Sequence, residues 1–440
     1  MKYANVNSSL PGPKSKELIE KWHRFEADAT GFQAPLVWDH AKGCIVTDVD
    51  GNNYIDWTSG VLVTNVGHCH QHLVEAVQKA SADLLNNYEC PNNYRVAAAE
   101  KLVNALPDHL DKCFFLSTGS EAVEAAIRLM KRKTGKFEIL SFEGGFHGRT
   151  LNAASVGGLA GPKRNFGPTV AGTIRAIYPN PYRDPFGLCD DGPEFDKYFD
   201  YLESTIRANS TGSLAGVIVE PYQGAAGFIF PPKGWLKKLR MWAKAKGLLF
   251  TLDEVQSSYG RTGKMWAMEH ENISPDVVTI GKAIGCGVPV SAVASTTDIF
   301  SCLQKGELSS TLGGNPVSSA AVTAVLEIYE NENLVENSQK MGEYMKAGLL
   351  KIQGKCKYLG DVRGMGLIMG LEFVKDKTTK EPAPELIKTI ITRCAEKGLL
   401  VGSVGMFGNV IRVAPPLVIT KEIADESLGI LEDVLTGLEL

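Results

Sequence analysis

Between about residue 66 and residue 315 the chain alternates helical patterns with short, unbroken apolar runs. The runs are Phe114–Leu116, Ile139–Phe142, Val217–Val219, Leu248–Leu252, Val277–Ile280 and Val290–Ala294. A strand with one face in water alternates apolar with polar residues, whereas a run without alternation is covered on both faces. Strands that alternate with helices in this way build βαβ units and a parallel sheet. The helical pattern Trp235–Lys246 stops at Gly247, a suitable C-terminal cap, and the Leu248 run follows at once. The expected fold class is α/β, with a large domain on a mostly parallel central sheet covered by helices.

At 440 residues and 47.6 kDa the chain exceeds what one hydrophobic core usually serves. Three segments are expected: 1–65, 66–315 and 316–440. The first carries a polar arm, a helix over Lys14–Asp28, and two β-like segments, Cys44–Asp48 and Tyr54–Trp57, split by the turn signal Asp50-Gly51-Asn52. The last carries an Ala/Val-rich helix (Val317–Tyr329) and a long amphipathic helix. A β-rich stretch (Ile368–Val374), a helix (Pro384–Lys397), a strand (Val410–Val413) and a closing helix (Lys421–Leu438) follow. This reads as a smaller α/β domain completed by the N-terminal segment.

Charge and composition narrow the function. A net charge of -4 with no basic stripe argues against nucleic acid and against a charged membrane surface. The apolar runs fall well short of a bilayer span, and the N-terminal residues lack the apolar core of a secretory signal. Nine scattered cysteines, an odd number with no Cys-x-x-Cys, fit a reduced, cytoplasmic protein. His68-Cys-His-Gln-His72 resembles a ligand set, but no further Asp, Glu or Cys completes it by spacing. It is read as a turn leading into a helix, with no metal.

Chemistry-bearing residues cluster at strand ends. Asp253 closes the Leu248 run, and Gly281-Lys282 follows the Val277 run, so a carboxylate and an amine reach one sheet edge. Ser117-Thr-Gly-Ser-Glu121 lies between a strand and a strong helix pattern. Thr118 and Glu121 have capping-box spacing, while Gly119 and Ser120 present free N–H groups and a hydroxyl. That motif reads either as an ordinary capped helix or as an anion cradle. Glu143-Gly-Gly-Phe-His-Gly148 is either a glycine turn with one buried aromatic, or a loop whose Phe146 lies on a planar ring and whose His147 supports it. In Asp253-Glu-Val-Gln256, Val255 can pack on a ring and Gln256 can donate a hydrogen bond. Arg412 interrupts the apolar strand Val410–Val413 and needs a carboxylate partner, either a structural one or a substrate. Glu220, at the end of Val217-Ile-Val-Glu220, is a candidate for that partner when substrate is absent.

Eight motifs occur in order: Ser-Thr-Gly-Ser-Glu-Ala (117–122), Phe-His-Gly-Arg-Thr (146–150), Val-Glu-Pro (219–221), Asp-Glu-Val-Gln (253–256), Gly-Arg-Thr-Gly (260–263), Gly-Lys-Ala-Ile-Gly (281–285), Thr-Leu-Gly-Gly-Asn-Pro (311–316) and Gly-Asp-Val-Arg-Gly-Met-Gly (360–366). From about Val37 to the C-terminus the chain resembles the class III (ω-amino acid) aminotransferases, pyridoxal-phosphate enzymes of fold type I. The likeness is closest to 4-aminobutyrate aminotransferases. Tyr178-Pro-Asn-Pro-Tyr-Arg183 also resembles a segment of the family's amino-acid racemases and epimerases.

The resemblance implies that Lys282 is the Schiff-base lysine and proton shuttle, and Asp253 the partner of the pyridine nitrogen. Gly119 and Ser120 would bind the phosphate, Phe146 would stack on the ring, and Gln256 would contact its phenolic oxygen. Thr311 resembles a phosphate ligand donated by a neighbouring subunit, which implies a homodimer with shared active sites, alone or within a tetramer. Glu220 and Arg412 resemble the pair that lets one site take substrates with and without an α-carboxylate. The expected reaction moves an amino group from an ω-amino acid to 2-oxoglutarate or pyruvate; the alternative is racemisation or 2-epimerisation on the same scaffold.

Overall fold

The computed structural model describes residues 3–31, 33–187 and 196–438. The chain divides into two compact units, one of residues 71–259 and 264–333, the other of residues 1–70, 260–263 and 334–440.

The first unit is organised by a seven-stranded sheet. Its strands are β1 (Lys112–Leu116), β2 (Glu138–Phe142), β3 (Thr173–Ala176), β4 (Leu214–Val219), β5 (Leu249–Asp253), β6 (Val277–Ile280) and β7 (Ser291–Ser295). Their order is β1-β7-β6-β5-β4-β2-β3. Every neighbouring pair from β3 to β6 is parallel, whereas β7 runs antiparallel to both β6 and β1. Residues of β2, β4, β6 and β7 are buried without alternation, as strands covered on both faces must be. β3 escapes the apolar pattern because Thr173-Ile-Arg-Ala176 is short and half-exposed on every second residue.

The helix Gly119–Thr134 carries Ala122, Val123, Ala126, Ile127, Leu129 and Met130 into the core. Its face touches Leu116, Val277 and Val293 on one side and Ile139, Ala215 and Ile218 on the other. Burial of each large aliphatic here contributes about 1.5–3 kcal/mol. The helix opens on the capping box read from the sequence: Glu121 Oε2 accepts from the N–H of Ser117 (2.8 Å) and of Thr118 (2.9 Å), and Thr118 Oγ1 accepts from the N–H of Glu121 (3.3 Å).

The unit boundaries fall after residues 70 and 333, where the sequence reading places them after 65 and 315. The reason lies in the helix Pro316–Asn331. It is apolar on most of its circumference, with Ala320, Ala321, Val322, Val325, Leu326 and Ile328 buried. Such a helix needs partners on several sides, and it packs on the helices Gln71–Asp83 and Asn93–Asn104 of the first unit.

The second unit holds two four-stranded sheets. In one, Trp38–Lys42, Ile45–Asp48 and Asn53–Asp56 pair antiparallel, and Leu399–Leu400 adds in parallel, so N- and C-terminal segments share one sheet. In the other, Leu359–Met365, Ile368–Phe373, Val410–Val413 and Gly402–Val404 pair antiparallel in that order. Residues 260–263 join this unit because Arg261 is fully buried in it. Its guanidinium donates to the carbonyls of Leu367 (2.8 Å) and Pro415 (2.6 Å), to Ser59 Oγ (3.3 Å) and to Asn65 Oδ1. Ser59 in turn starts a left-handed turn, with φ positive at Ser59, Gly60, Val61 and Leu62. For L-residues that handedness costs roughly 1–2 kcal/mol each, and Ser59 is held in it by accepting from Arg261 and donating to the Ala414 carbonyl.

Candidate active site

Four parallel strands deliver the site. Asp253 is the last residue of β5, Glu220 follows β4, Gly281 and Lys282 follow β6, and Gly144 to Gly148 form the loop after β2. The carboxyl ends of parallel strands are where open α/β sheets bind ligands. A cavity of about 180 Å³ opens here, lined by Gly119, Ser120, Phe146, His147, Gly148, Glu220, Ala225, Asp253, Val255, Gln256 and Lys282. Eight of the residues named from the sequence as ring, phosphate or catalytic groups therefore meet in one place, and Glu220 joins them.

Strand register sets the aspartate. Asp253 pairs with Thr279 across β5 and β6, and the Thr279 hydroxyl donates to Asp253 Oδ1 at 2.8 Å. The N–H of Val255 donates to the same oxygen at 3.1 Å. The other oxygen, Oδ2, lies 2.7 Å from His147 Nδ1, both side chains being buried. Burial by itself resists charge on His147, but the hydrogen bond and charge of Asp253, helped by Glu220, carry its pKa above the ordinary value. His147 is thus a buried brace for the Asp253 carboxylate, its position fixed by that hydrogen bond.

Glu220 is held by backbone. The N–H of Phe146 donates to Oε1 (2.9 Å) and that of Gly224 to Oε2 (3.1 Å). Burial raises its pKa to about 7, with His147 pulling it down and Asp253 pushing it up. Lys282 adopts φ +49, a left-handed conformation that a lysine rarely takes and that aims the residue after β6.

Close approach explains the glycines. A Cβ on Gly148, where φ is +136, would stand 2.4 Å from Ser120 Oγ, and one on Gly119 would stand 2.9 Å from Val255 Cγ1. Ser120 Oγ accepts from the N–H of Arg149 at 3.1 Å, which ties the helix start to the Phe146 loop. The Arg149 guanidinium sits 5.9 Å from the centre of the Phe146 ring.

Two named residues lie elsewhere. Thr311 is exposed in the turn before Pro316 and is not among the residues lining the cavity. Arg412 is buried in the Val410–Val413 strand of the other unit. His68, discounted as a metal ligand, sets Nε2 2.8 Å from Asp56 Oδ2. Among the described residues no cluster of three His, Cys, Asp or Glu is placed to hold a metal, and no helix is long and apolar enough to cross a membrane.

The sequence reading passed over Thr279 and Gly224. Thr279 had a signal, a polar residue inside Val-Val-Thr-Ile280 that must find a partner. Gly224 had none, because its use depends on two backbone segments meeting. Glu254 was also missed. It is fully buried, accepts from Ser257 Oγ (2.6 Å) and from the N–H groups of Ala267 (3.0 Å) and Met268 (2.7 Å), and burial lifts its pKa to about 7.

The chain is similar to known proteins over nearly its whole length. The model of the family described as Aminotransferase class-III matches residues 27–435. An alanine/serine racemase of Pyrococcus horikoshii is 38% identical over 99% of this chain and 94% of its own. A 4-aminobutyrate aminotransferase of Mycobacterium leprae is 35% identical over 97% of each chain. An amine transaminase from an uncultivated Pseudomonas species, solved in its PLP-bound form, superposes with a TM-score of 0.86 at 28% identity, covering 94% of this chain and 98% of that one.

Proposed function

Because this chain belongs to the class-III aminotransferase family, we propose that it transfers an amino group from a 4-aminobutyrate-like ω-amino acid to 2-oxoglutarate or pyruvate in a ping-pong cycle. Pyridoxal phosphate is the cofactor of the family. The cavity fits it on two counts. The Gln256 carboxamide lines the cavity with its Oε1 unpartnered among the described residues, so it can turn to present its amide nitrogen as a donor to a ligand oxygen. Gly119 and Gly281 both press against Val255, leaving backbone where a side chain would fill the cradle.

When bound, the cofactor supplies an aldehyde that captures primary amines and a protonated ring that withdraws electrons from the substrate carbon. Ser120 and the N–H groups at the start of its helix would hold the phosphate. Asp253, braced by His147, would hold the ring nitrogen protonated. Phe146 and Val255 would flank the ring, and Gln256 would bond its phenolic oxygen. Lys282 would anchor the cofactor and, once released, carry a proton to and from the substrate carbon; this requires the amine to be neutral at that moment. Arg412 would bind an α-carboxylate in bidentate fashion, and Glu220 would line the substrate site. Thr311 would serve the cavity of a second copy in a homodimer, which we place in the cytoplasm.

The observation that carries this reading is the meeting of Lys282 and Asp253 at the ends of adjacent parallel strands, beside a helix start that presents the Ser120 hydroxyl and backbone amides. A second reading, racemisation, is favoured by the racemase relative. Inversion needs an acid–base group on each face of the substrate carbon. Of the titratable residues lining the cavity, Asp253 and His147 bond each other and Glu220 accepts two backbone N–H groups. That leaves Lys282 as the proton carrier and supports transfer. A donor–acceptor panel tests it: 4-aminobutyrate or a homologue with 2-oxoglutarate or pyruvate should yield glutamate or alanine. Loss of optical activity from one amino-acid enantiomer, with no acceptor and no oxo acid formed, would establish the racemase instead.

A further inference from the structure

Arg412 sits in an unusual setting. Its guanidinium is buried, and burial draws its pKa down to about 10 against the opposing charge of Asp56. The residues paired with it across both neighbouring strands are glycines, Gly370 and Gly402. A Cβ on Gly402 would stand 2.5 Å from Arg412 Nη2 and 2.5 Å from Gln33 Nε2. The sheet therefore leaves lateral room beside the cation, and Gln33 reaches into it. With its carboxamide turned so that both ends are satisfied, Gln33 donates to the Val401 carbonyl at 3.1 Å and accepts from Arg412 Nη2. Arg412 Nε has no hydrogen-bond partner among the described residues.

The buried guanidinium feels the charge of Asp56, but its side-chain hydrogen bond here is to the neutral Gln33 oxygen, with one N–H unmet. A carboxylate offers two charged oxygens to the same fork and is the stronger partner. We propose that Gln33 is a displaceable stand-in for the substrate carboxylate. It occupies Arg412 when the bound substrate has no α-carboxylate and yields when one arrives. The role given to Glu220 from the sequence thus falls to a neutral residue in Arg412's own unit. Neutrality is the useful property, because a resident carboxylate would compete with the substrate at full charge. Gln33 acts through Arg412 and is a positioning residue that sets discrimination between the two substrate types. The proposal rests on the reading of Arg412 as the carboxylate-binding residue.

Glutarate, a dicarboxylate with no reactive group, is a suitable probe, with its dissociation constant measured calorimetrically on the holoenzyme. Gln33→Glu should weaken glutarate roughly tenfold or more, because a charged competitor now holds Arg412, and Gln33→Ala should tighten it about threefold by removing the competitor. These opposite signs are not what a merely structural glutamine gives. If both variants bind glutarate as the wild type does, or both bind it more weakly, the stand-in is overturned. Arg412→Ala separates the two readings. If glutarate binding survives that change, the assignment of Arg412 itself fails. If it is lost while the Gln33 variants are silent, only the role of Gln33 fails.

Discussion

Gly148→Ala tests whether close packing at the helix start holds the cofactor. The new Cβ would lie 2.4 Å from Ser120 Oγ and 2.9 Å from both Ser120 Cβ and Ala153 Cβ, on a residue with φ +136. Overpacking costs about 1–3 kcal/mol and a strained backbone about 1–3 kcal/mol more. The sum, about 2–6 kcal/mol, is a large part of a typical net stability of about 5–15 kcal/mol. The chain can lower this cost by pushing the Ser120 hydroxyl out of place. A hydrogen bond to a charged group is worth about 1.5–3 kcal/mol, so the cofactor's dissociation constant should rise roughly ten- to 150-fold. Gly135→Ala is the control: φ is +67 there too, but no atom lies within 4 Å of the new Cβ. It should lose about 1–2 kcal/mol of stability and bind cofactor within about twofold of wild type. Absorbance titration of the apoprotein with pyridoxal phosphate reads affinity, and denaturant unfolding reads stability. The reasoning is refuted if a folded Gly148→Ala protein binds cofactor like the wild type, or if both variants lose affinity equally.

Glu254 should make stability fall with rising pH. Its folded pKa, about 7, stands above the ordinary 4.5, so its contribution is intact below about pH 4.5 and is lost as pH rises through 7. At about 1.36 kcal/mol per unit the loss is on the order of 3 kcal/mol, and urea unfolding of wild type and Glu254→Gln across this range should show that part of the slope vanish in the variant. Arg412→Ala should weaken 2-oxoglutarate more than the ω-amine donor, by about 2–5 kcal/mol in its half-reaction; equal losses in both half-reactions would count against a carboxylate clamp. Lys282→Ala should abolish the visible colour of the holoenzyme and its turnover, while apoprotein unfolding changes little because the side chain is half-exposed.

The strands that deliver the site were legible because they are buried on both faces, and such strands write themselves as apolar runs. Val277–Ile280 was placed residue for residue, and Val410–Val413 likewise. Thr173–Ala176 and the edge segment Trp38–Lys42 were not, since a half-exposed strand carries Arg, Asp, His and Lys like any loop. Strand direction was equally invisible: nothing in Ser291–Ser295 says that it runs against β6. At the site, position alone put Asp253 and Lys282 at one sheet edge, and the roles expected of them came from the ordered motifs and the family resemblance. The bond from His147 to Asp253 was not legible, because it joins a loop to a strand end 106 positions away. The Gln33 contact with Arg412 depends on Gly402 in a neighbouring strand, and a single glycine in a sequence does not say what it makes room for.

The antiparallel direction of β7 has a mechanical consequence for Lys282. Parallel neighbours are joined by long crossovers, and a residue on such a connection inherits its slack. β6 and β7 are adjacent and antiparallel, with Ile280 paired to Ala292, so residues 281–290 form a short arch with both feet in the same sheet. Lys282 stands one residue inside one foot. Its backbone position is tied to the strand end two residues before it, and the amine reaches beyond that through its own side-chain torsions. Under the proposed function, the amine that would release the cofactor, carry a proton and return stands beside one foot of that arch.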